Sequence, residues 1–206
     1  MRIDTRCDII HWHNLPKACS AYKKSVFSHQ IDDNLKLSLP ELHRAEELTA
    51  VVRDNLQHLQ PWMPWAVNDY SVESAREWIH RTLTEFAEDG RFNAIILVND
   101  KPVGTIGFHN LNTANGSAEI GYWIDKAHEG KGIVTRCCRV LIDYLFEVRG
   151  LNRVQINCNV ENARSRAVPE RLGFRLEGIH RQVERVQGRF GDWAVYAMLK
   201  NEWKGK

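Results

Sequence analysis

The sequence predicts one α/β (α+β) domain in which a mixed, mostly antiparallel sheet carries helices on both faces. Three observations predict this class. A chain of 206 residues suits one domain of ordinary size, and no repeat or linker divides it. Apolar residues recur at helical spacing in some segments and form short runs elsewhere, in the order β-α-α-β-β-β-α-β-α-β-β. Two short turns join three consecutive strands, which favours antiparallel pairing.

The first half of the chain should supply one strand and two helices. After a short strand at 34–37, Ser38 and Glu41 have the spacing of a capping box, which predicts that the first helix begins there. The proline-containing segment 61–65 should end that helix. Ser71 then marks the start of a second helix, and Gly90 its end.

The second half is expected to be mainly β-structure. A helix at 133–148 and a shorter one from Asn162 to about Gly173 interrupt the strands. Turn residues at 99–102 and 112–116 separate the first three strands of this half. The predicted strands are 92–98, 103–108, 118–124, 154–160, 174–185 and 190–199.

The stretch EIGYWIDKAHEGKGIVT, residues 119–135, is the most informative part of the chain. A strand leads through a loop with Gly130 and Gly132 directly into a helix. The free amides and the dipole at a helix N-terminus attract anions, and glycine lets the backbone approach a phosphate closely. The loop fits neither a Walker A pattern nor a Rossmann fingerprint, because Lys131 lies between the glycines and Thr135 occupies the third glycine position.

A second group of residues follows this loop: Asn162-Ala-Arg-Ser165, then Arg171-Leu-Gly173-Phe174. Together with EIGYWI and G-K-G, this order resembles the GNAT acetyltransferase superfamily, and within it the RimJ/RimL branch of ribosomal-protein N-terminal acetyltransferases. The resemblance covers roughly residues 34–203. It implies that the loop holds the pyrophosphate of acetyl-CoA, the co-substrate. Ala127 departs from the Gln or Arg that many members carry there, as the RimJ/RimL branch often does.

The resemblance also implies a fold detail and a set of cofactor contacts. Two parallel strands, ending near Ile124 and Val160, should splay apart and leave a cleft where a pantetheine arm pairs with backbone at 123–125. Lys131 and Arg136 lie beside the loop, and whether they bind phosphate or face solvent stays open. The residues expected to contact the cofactor are Trp123, Ile124, Asp125, Glu129, Gly130, Lys131, Gly132, Ile133, Val134, Thr135 and Asn162.

Two residues are the catalytic candidates. Glu119 stands among apolar neighbours, so burial should raise its pKa and suit it to act as base, directly or through water. Its alternative is an exposed or purely structural carboxylate. Many GNAT proteins carry a tyrosine seven residues after Asn162 as acid, but here that position is Pro169. The resemblance therefore points to the Ser165 hydroxyl as the donor to the departing thiolate, with helix capping as its alternative.

Four residues are expected on the acceptor side. Trp62 and Trp65 lie between the first two helices and either line the acceptor pocket or close the core; Phe108 and Asn110 should also reach towards the cleft. His109 is a further base candidate or a surface residue. An α-amine titrates near pH 8 and a lysine near 10.4, so roughly a tenth of the former is free base at neutral pH. A site with one carboxylate base is therefore better suited to an α-amine than to a lysine side chain.

Composition limits the other possibilities. A net charge of +2 without a Lys/Arg run argues against nucleic-acid binding. No apolar run approaches about 18 residues and no signal-peptide core begins the chain, so we expect a cytoplasmic protein with no membrane partner. The 5 cysteines lack C-x-x-C spacing, which predicts reduced thiols and no metal. Homodimer formation stays open.

The function predicted from these observations is direct acetyl transfer from acetyl-CoA to an α-amino group, with a ribosomal-protein N-terminus as the family's usual target. Two alternatives stay open. One is a detoxifying or resistance acetyltransferase for a small amine or aminoacyl compound. The other is a non-catalytic CoA-binding module. Residues 31–206 should form the single domain, and residues 1–30, polar and broken by Pro16, an extension whose role the sequence leaves open.

Overall fold

The structure is a computed structural model that describes residues 27–205. Cys7, Cys19 and most of the predicted N-terminal extension lie outside these residues. The strands and helices are β1 (Ser28–Gln30), β2 (Leu35–Ser38), α1 (Ala45–Asp54), α2 (Leu56–Leu59), α3 (Val72–Ala87), β3 (Phe92–Val98), β4 (Lys101–Asn112), β5 (Ser117–Ile124), α4 (Ile133–Asp143), β6 (Arg153–Asn159), α5 (Ala163–Arg171), β7 (Arg175–Val186) and β8 (Arg189–Leu199).

These strands form one 8-stranded sheet in the order β1-β2-β3-β4-β5-β6-β8-β7. Neighbouring strands run antiparallel except for β5 and β6, which are parallel. The parallel pairing extends from Ser117–Arg153 to Glu119–Gln155 and then stops, although both strands continue. The structure therefore confirms a mixed, mostly antiparallel sheet in which two parallel strands splay apart.

The two faces of the sheet carry separate hydrophobic clusters. On one face α4 packs with Cys137, Cys138 and Leu141 among the buried strand side chains. On the other face α1 and α3 pack together, and Trp123 joins their cluster. Because side chains alternate along a strand, Tyr122 lies on the first face and Trp123 on the second. Strand β5 thus contributes to both layers.

The first helix begins later than its predicted capping box. Ser38 is the last residue of β2 and is almost fully buried, and its hydroxyl donates to the Leu39 carbonyl. A short 3-10 turn at Leu42–Arg44 precedes α1, and Glu41 makes no side-chain capping bond there. Ser38 therefore belongs to strand β2 and does not cap the helix, in contrast to the prediction from the local pattern.

Asn55 separates α1 from α2 and ties both to the loop after β5. Its side-chain amide donates to the Val51 carbonyl at 2.9 Å. Its Oδ1 accepts from the Lys126 amide, also at 2.9 Å. The break in the predicted single helix thus anchors the segment that leads to Gly130 and Gly132.

The second helix begins where the sequence predicts and ends slightly earlier. Ser71 caps α3 through a reciprocal pair of hydrogen bonds with Ser74. The helix ends at Ala87, and the left-handed residue after it is Asp89, with φ 56°, rather than Gly90. Asp89 can adopt this conformation because aspartate tolerates it better than most residues, and it also pairs with Arg149.

Two further boundaries differ from the prediction. The helix expected at 133–148 is α-helical to Asp143 and ends in a wider π turn, Tyr144–Val148. Strand β1 pairs with β2 at the sheet edge, so the expected boundary between residues 30 and 31 falls within the first hairpin. Within residues 27–205, no helix is both long and apolar enough to cross a membrane.

The α3 capping box provides a test of the fold. Ser71→Ala removes a side chain that accepts one amide hydrogen and meets the Ser74 hydroxyl, so we expect unfolding to become easier by about 1 kcal/mol. Urea denaturation measures this cost. Ser28→Ala on the exposed strand β1 is the control and should change stability by less than about 0.5 kcal/mol. Equal effects of the two substitutions would contradict the assignment of Ser71 as the N-cap of α3.

Candidate active site

A cleft of about 540 Å³ lies where β5 and β6 diverge. Residues from α3, β4, β5, β6, β8 and α5 line it, together with the segment between α2 and α3. The candidate residues that it brings together are Trp62, Trp65, His109, Glu119, Trp123, Asn162 and Ser165. The splay therefore creates one space that both catalytic candidates border.

Glu119 lies on β5 at the last residue pair of the parallel ladder. Its Oε1 is 3.4 Å from His109 Nε2, and its Oε2 accepts from the Asn110 amide at 3.1 Å. Asn110 reaches back to this carboxylate from a left-handed backbone conformation, with φ 51°. Both carboxylate oxygens are therefore held from β4, and the side chain is neither freely solvated nor without partners.

The environment of Glu119 corrects the sequence-based expectation about its pKa. Burial does push the pKa upward, as expected. The contacts with His109, Asn110 and Asn157 outweigh burial, so the pKa lies below its ordinary value of 4.5. Hydrogen bonds to a carboxylate favour its charged form. Glu119 is thus ionised at neutral pH and able to accept a proton.

Ser165 lies in the first turn of α5, at the opposite side of the divergence. Asn162 caps this helix, because its Oδ1 accepts the Ser165 amide hydrogen at 3.0 Å. The Ser165 hydroxyl is not part of the cap: it donates to Cys158 Sγ at 3.2 Å and lies 3.4 Å from the Tyr122 hydroxyl. The capping alternative therefore applies to Asn162, and the Ser165 side chain faces the cleft residues.

The loop between β5 and α4 has the geometry of an anion site. Gly130 and Gly132 both have left-handed backbone angles, with φ 71° and 69°, and an added Cβ at either would meet no atom within 4 Å. Gly132 is the residue before α4, and the first helical hydrogen bond of its ladder runs from the Arg136 amide to the Gly132 carbonyl. The amides of residues 133–135, between Gly132 and Arg136, therefore have no partner within the helix.

A buried hydroxyl supports this assignment. Thr135 Oγ1 is inaccessible to solvent and has no hydrogen-bond partner among residues 27–205. An unsatisfied buried hydroxyl is costly, and native structures rarely leave one without a reason. Its place in the first turn of α4, next to unused amides, fits a site for the diphosphate of a nucleotide cofactor.

The backbone at 123–125 divides between the sheet and the cleft. The Asp125 amide donates to the Val103 carbonyl at 2.7 Å, so it is already used by β4. Residues of an antiparallel strand alternate in the side to which their amide and carbonyl point. Trp123 therefore pairs with Thr105, as Asp125 does with Val103, and Ile124 presents its backbone to the gap. Of the expected pantetheine contacts, Ile124 is the available one.

The charged residues around the loop are largely paired. The Glu129 carboxylate contacts Arg164 of α5 and lies 3.3 Å from His58 Nε2 of α2. Arg136 pairs with Asp32, while exposed Lys131 lines a neighbouring cavity of about 310 Å³. Glu129 of the loop is thus held by Arg164 of α5 on one side and by His58 of α2 on the other.

The acceptor-side candidates separate into two groups. Trp62 and Trp65 line the cleft, and the Trp65 ring lies 5.8 Å from that of Trp123. Phe108, in contrast, points away from the cleft: it is 3% exposed and stacks between Phe92 and Tyr144. The expectation that Phe108 contacts the acceptor is wrong, because strand alternation turns it into the core.

The cleft also contains residues that the sequence did not single out. Tyr122 has no predicted role, and Cys158 is expected only to be a reduced thiol, yet both line the cleft beside Ser165. Glu184 and Trp193, from the β7–β8 hairpin, form another wall, where the indole nitrogen donates to the carboxylate at 3.1 Å. No local motif marks these residues, because the sheet brings them together from distant parts of the chain.

Known proteins are similar to this chain in sequence and in structure. Residues 34–175 match the acetyltransferase (GNAT) domain family. The chain is 41% identical over 182 residues to a protein of Bacillus subtilis (strain 168) named "Putative ribosomal N-acetyltransferase YdaF", covering 88% of this chain and 100% of that protein.

Two solved structures are similar as well. One is RimL, the ribosomal L7/L12 alpha-N-protein acetyltransferase, in complex with coenzyme A: TM-score 0.79, 26% identity, 84% of this chain and 97% of that one. The other is the microcin C7 self-immunity acetyltransferase MccE with acetyl-CoA and AMP: TM-score 0.78, 29% identity, 82% of this chain and 94% of that one.

The pKa of Glu119 can be tested directly. We expect an NMR titration of its carboxyl group to have a midpoint below 4.5. His109→Ala should raise that midpoint, because it removes a partner that lowers the pKa while the burial stays. His43→Ala, at an exposed site, is the control.

The same shift sets the pH dependence of stability. A carboxyl whose pKa is lowered by folding stabilises the protein above its unfolded-state pKa, and this contribution is lost as the pH falls through the folded-state value. Glu119→Gln should therefore cost stability at pH 7, and less below pH 4.5. An NMR titration midpoint above 4.5 for Glu119 in the unsubstituted protein would contradict the lowered pKa on which both predictions rest.

Proposed function

The chain belongs to the acetyltransferase (GNAT) family, and on that premise we propose that it transfers acetyl from acetyl-CoA to the α-amino group of a protein N-terminus, with a ribosomal protein as the acceptor. It is an acetyl-CoA-dependent acetyltransferase. The single observation that carries the proposal is the cleft itself: Glu119, Ser165 and a tryptophan-rich acceptor wall border one continuous space.

In this proposal acetyl-CoA extends from the loop with Gly130 and Gly132 into the cleft. Backbone amides from Gly130 to Thr135 bind the diphosphate, favoured by the N-terminus of α4. The pantetheine arm then follows the gap between β5 and β6, where the Ile124 backbone and the Asn162 side chain are its partners. This route brings the thioester towards Ser165, which borders the same gap.

The proposed chemistry uses two side chains in separate roles. The Glu119 carboxylate, ionised and next to His109, accepts the proton that the amine must lose, directly or through water. The Ser165 hydroxyl donates a hydrogen bond to the departing sulfur. No covalent enzyme intermediate is required, because the amine attacks the thioester carbon itself.

The charges in the cleft favour a single ammonium group. Among residues 27–205, its lining includes Glu77, Glu119 and Glu184 but a single arginine, Arg81. This moderate negative charge attracts one protonated amine. An α-amine needs the smaller pKa change to become nucleophilic. RimL, a structural neighbour, is named for acetylation of an α-amino group of a ribosomal protein.

A second candidate is an aminoacyl compound joined to an aromatic group. The acceptor wall includes Trp62, Trp65, Trp78 and Trp193, and flat aromatic side chains are suited to stacking on planar rings. The structure of MccE contains AMP together with acetyl-CoA. In both candidate functions an α-amine is acetylated, but it belongs to a protein in the first and to a small aromatic compound in the second.

A thiol-release assay with acetyl-CoA distinguishes the candidates. Short peptides with a free N-terminus and no lysine should release CoA, and the same peptides with a blocked N-terminus should not. Blocked peptides with one lysine test the side-chain amine, and an aminoacyl sulfamoyl adenosine tests the second candidate. Release with lysine peptides alone would overturn the α-amine proposal, whereas release with the nucleoside compound alone would favour the second candidate.

Cofactor binding by the loop can be tested with two isosteric variants. Gly132→Asp places a carboxylate where the diphosphate should bind, whereas Gly132→Asn adds the same bulk without charge. Asn and Asp both tolerate the left-handed conformation, and the space around Gly132 is open. By calorimetry, the Asp variant should bind acetyl-CoA about tenfold more weakly than the Asn variant, or worse. Equal affinities would refute the loop assignment.

A further inference from the structure

Three polar side chains from three elements meet at one wall of the cleft. They are Tyr122 of β5, Cys158 of β6 and Ser165 of α5. The Tyr122 hydroxyl donates to the Ser165 carbonyl at 3.0 Å and lies 3.4 Å from the Ser165 hydroxyl. One phenol therefore contacts both the backbone and the side chain of the proposed sulfur donor.

Pro169 explains why the Ser165 carbonyl accepts this bond. In an α-helix the carbonyl of residue 165 would accept from the amide of residue 169. Proline has no amide hydrogen, and Pro169 lies inside α5. The Tyr122 hydroxyl supplies the donor that the helix lacks at this position. The same proline that displaces the family's usual tyrosine thus opens a contact for a tyrosine from β5.

The protonation states of the three groups suit a donor role. The pKa of Tyr122 is raised well above its ordinary value, first by burial and then by the neighbouring cysteines. Burial also raises the pKa of Cys158. All three side chains therefore carry their hydrogens at neutral pH, and none competes as an anion with a sulfur that develops negative charge.

We propose that Tyr122 is a positioning residue for acetyl transfer, whose hydroxyl fixes Ser165 at the cleft and supports the Ser165 hydroxyl as the hydrogen-bond donor to the departing CoA sulfur. The inference rests on the proposed role of Ser165. When Ser165 turns its hydrogen from Cys158 to the coenzyme, its oxygen becomes a better acceptor. The Tyr122 hydroxyl lies 3.4 Å from that oxygen and can then turn its single hydrogen to it from the Ser165 carbonyl, so that the two hydroxyl bonds strengthen each other.

The reaction balances without a proton leaving Tyr122. The amine nitrogen bonds to the thioester carbon, and the carbon–sulfur bond breaks with its electron pair moving to sulfur. The surplus amine proton passes to the Glu119 carboxylate. The thiolate leaves hydrogen-bonded to Ser165 and takes a proton from water after release.

Tyr122→Phe removes the hydroxyl and keeps the ring. With acetyl-CoA and an accepted amine, we expect kcat to fall about tenfold or more while KM for acetyl-CoA changes little. Tyr196→Phe is the matched control, because Tyr196 is equally tied to α5 through Arg166 and Glu170 but does not line the cleft. It should lower Tm but leave kcat within about twofold.

Two double variants separate positioning from mere support of the helix. Adding Pro169→Ala to Tyr122→Phe gives the Ser165 carbonyl a helical donor, so Tm should recover while kcat stays low. Adding Tyr122→Phe to Ser165→Ala should cause no further loss of kcat, because the residue through which Tyr122 acts is already absent. Recovery of kcat in the first, or a further tenfold loss in the second, would overturn the proposal.

These measurements use whichever amine the unsubstituted protein accepts. If that amine is a lysine or a small compound, the α-amine proposal fails while the Tyr122 test proceeds unchanged. If Ser165→Ala alone leaves kcat unaltered, the proposed role of Ser165 fails, and the role of Tyr122 fails with it. The two failures are therefore distinguishable.

Discussion

The divergence of β5 and β6 is the constraint on which the rest of the site depends. Their pairing ends at Glu119–Gln155, and beyond that point each strand presents backbone groups that the other does not satisfy. Unpaired backbone in a sheet must find other partners. The cleft, the position of its catalytic candidates and the route proposed for the cofactor all depend on this single interruption. Because the core covers both faces of the sheet, the two strands remain ordered on either side of the gap.

The N-termini of α4 and α5 both have backbone amides without partners in the helix, and they differ in how these amides are satisfied. At α4, glycines in the left-handed region leave the first amides without a side-chain cap, and these amides suit a diphosphate. At α5, the Asn162 side chain accepts the Ser165 amide hydrogen, so the Ser165 hydroxyl takes no part in the cap and contacts Cys158 in the cleft instead. One N-terminus is left open for a ligand, whereas the other is capped so that it can hold a side chain in place.

The site combines a carboxylate that is kept charged with hydroxyl and thiol groups that are kept neutral. Partners from β4 hold Glu119 ionised despite its burial, while Tyr122 and Cys158 lie in surroundings that oppose ionisation. Such separation suits a reaction in which one group accepts a proton and another donates to a leaving anion. Charge is thereby divided between the two sides of the gap, consistent with the roles proposed for Glu119 and Ser165.

Features that depend on neighbouring residues along the chain could be predicted from the sequence. Turn and cap chemistry is local, so the sequence predicted the strand–loop–helix around Gly130 and Gly132, the Asn162 cap and the Ser71 start. It also predicted the order of elements from β2 onward, although it missed strand β1 and the break at Asn55. Ser38 shows the limit, since pairing in the sheet overrode an equally good local pattern. Contacts between distant residues required the folded chain: Tyr122 lies 43 positions from Ser165, and their contact depends on strand register and on the missing amide hydrogen at Pro169. It also decided the direction of the Glu119 pKa and the burial of Phe108, because solvation and contacts across strands are properties of the packed sheet.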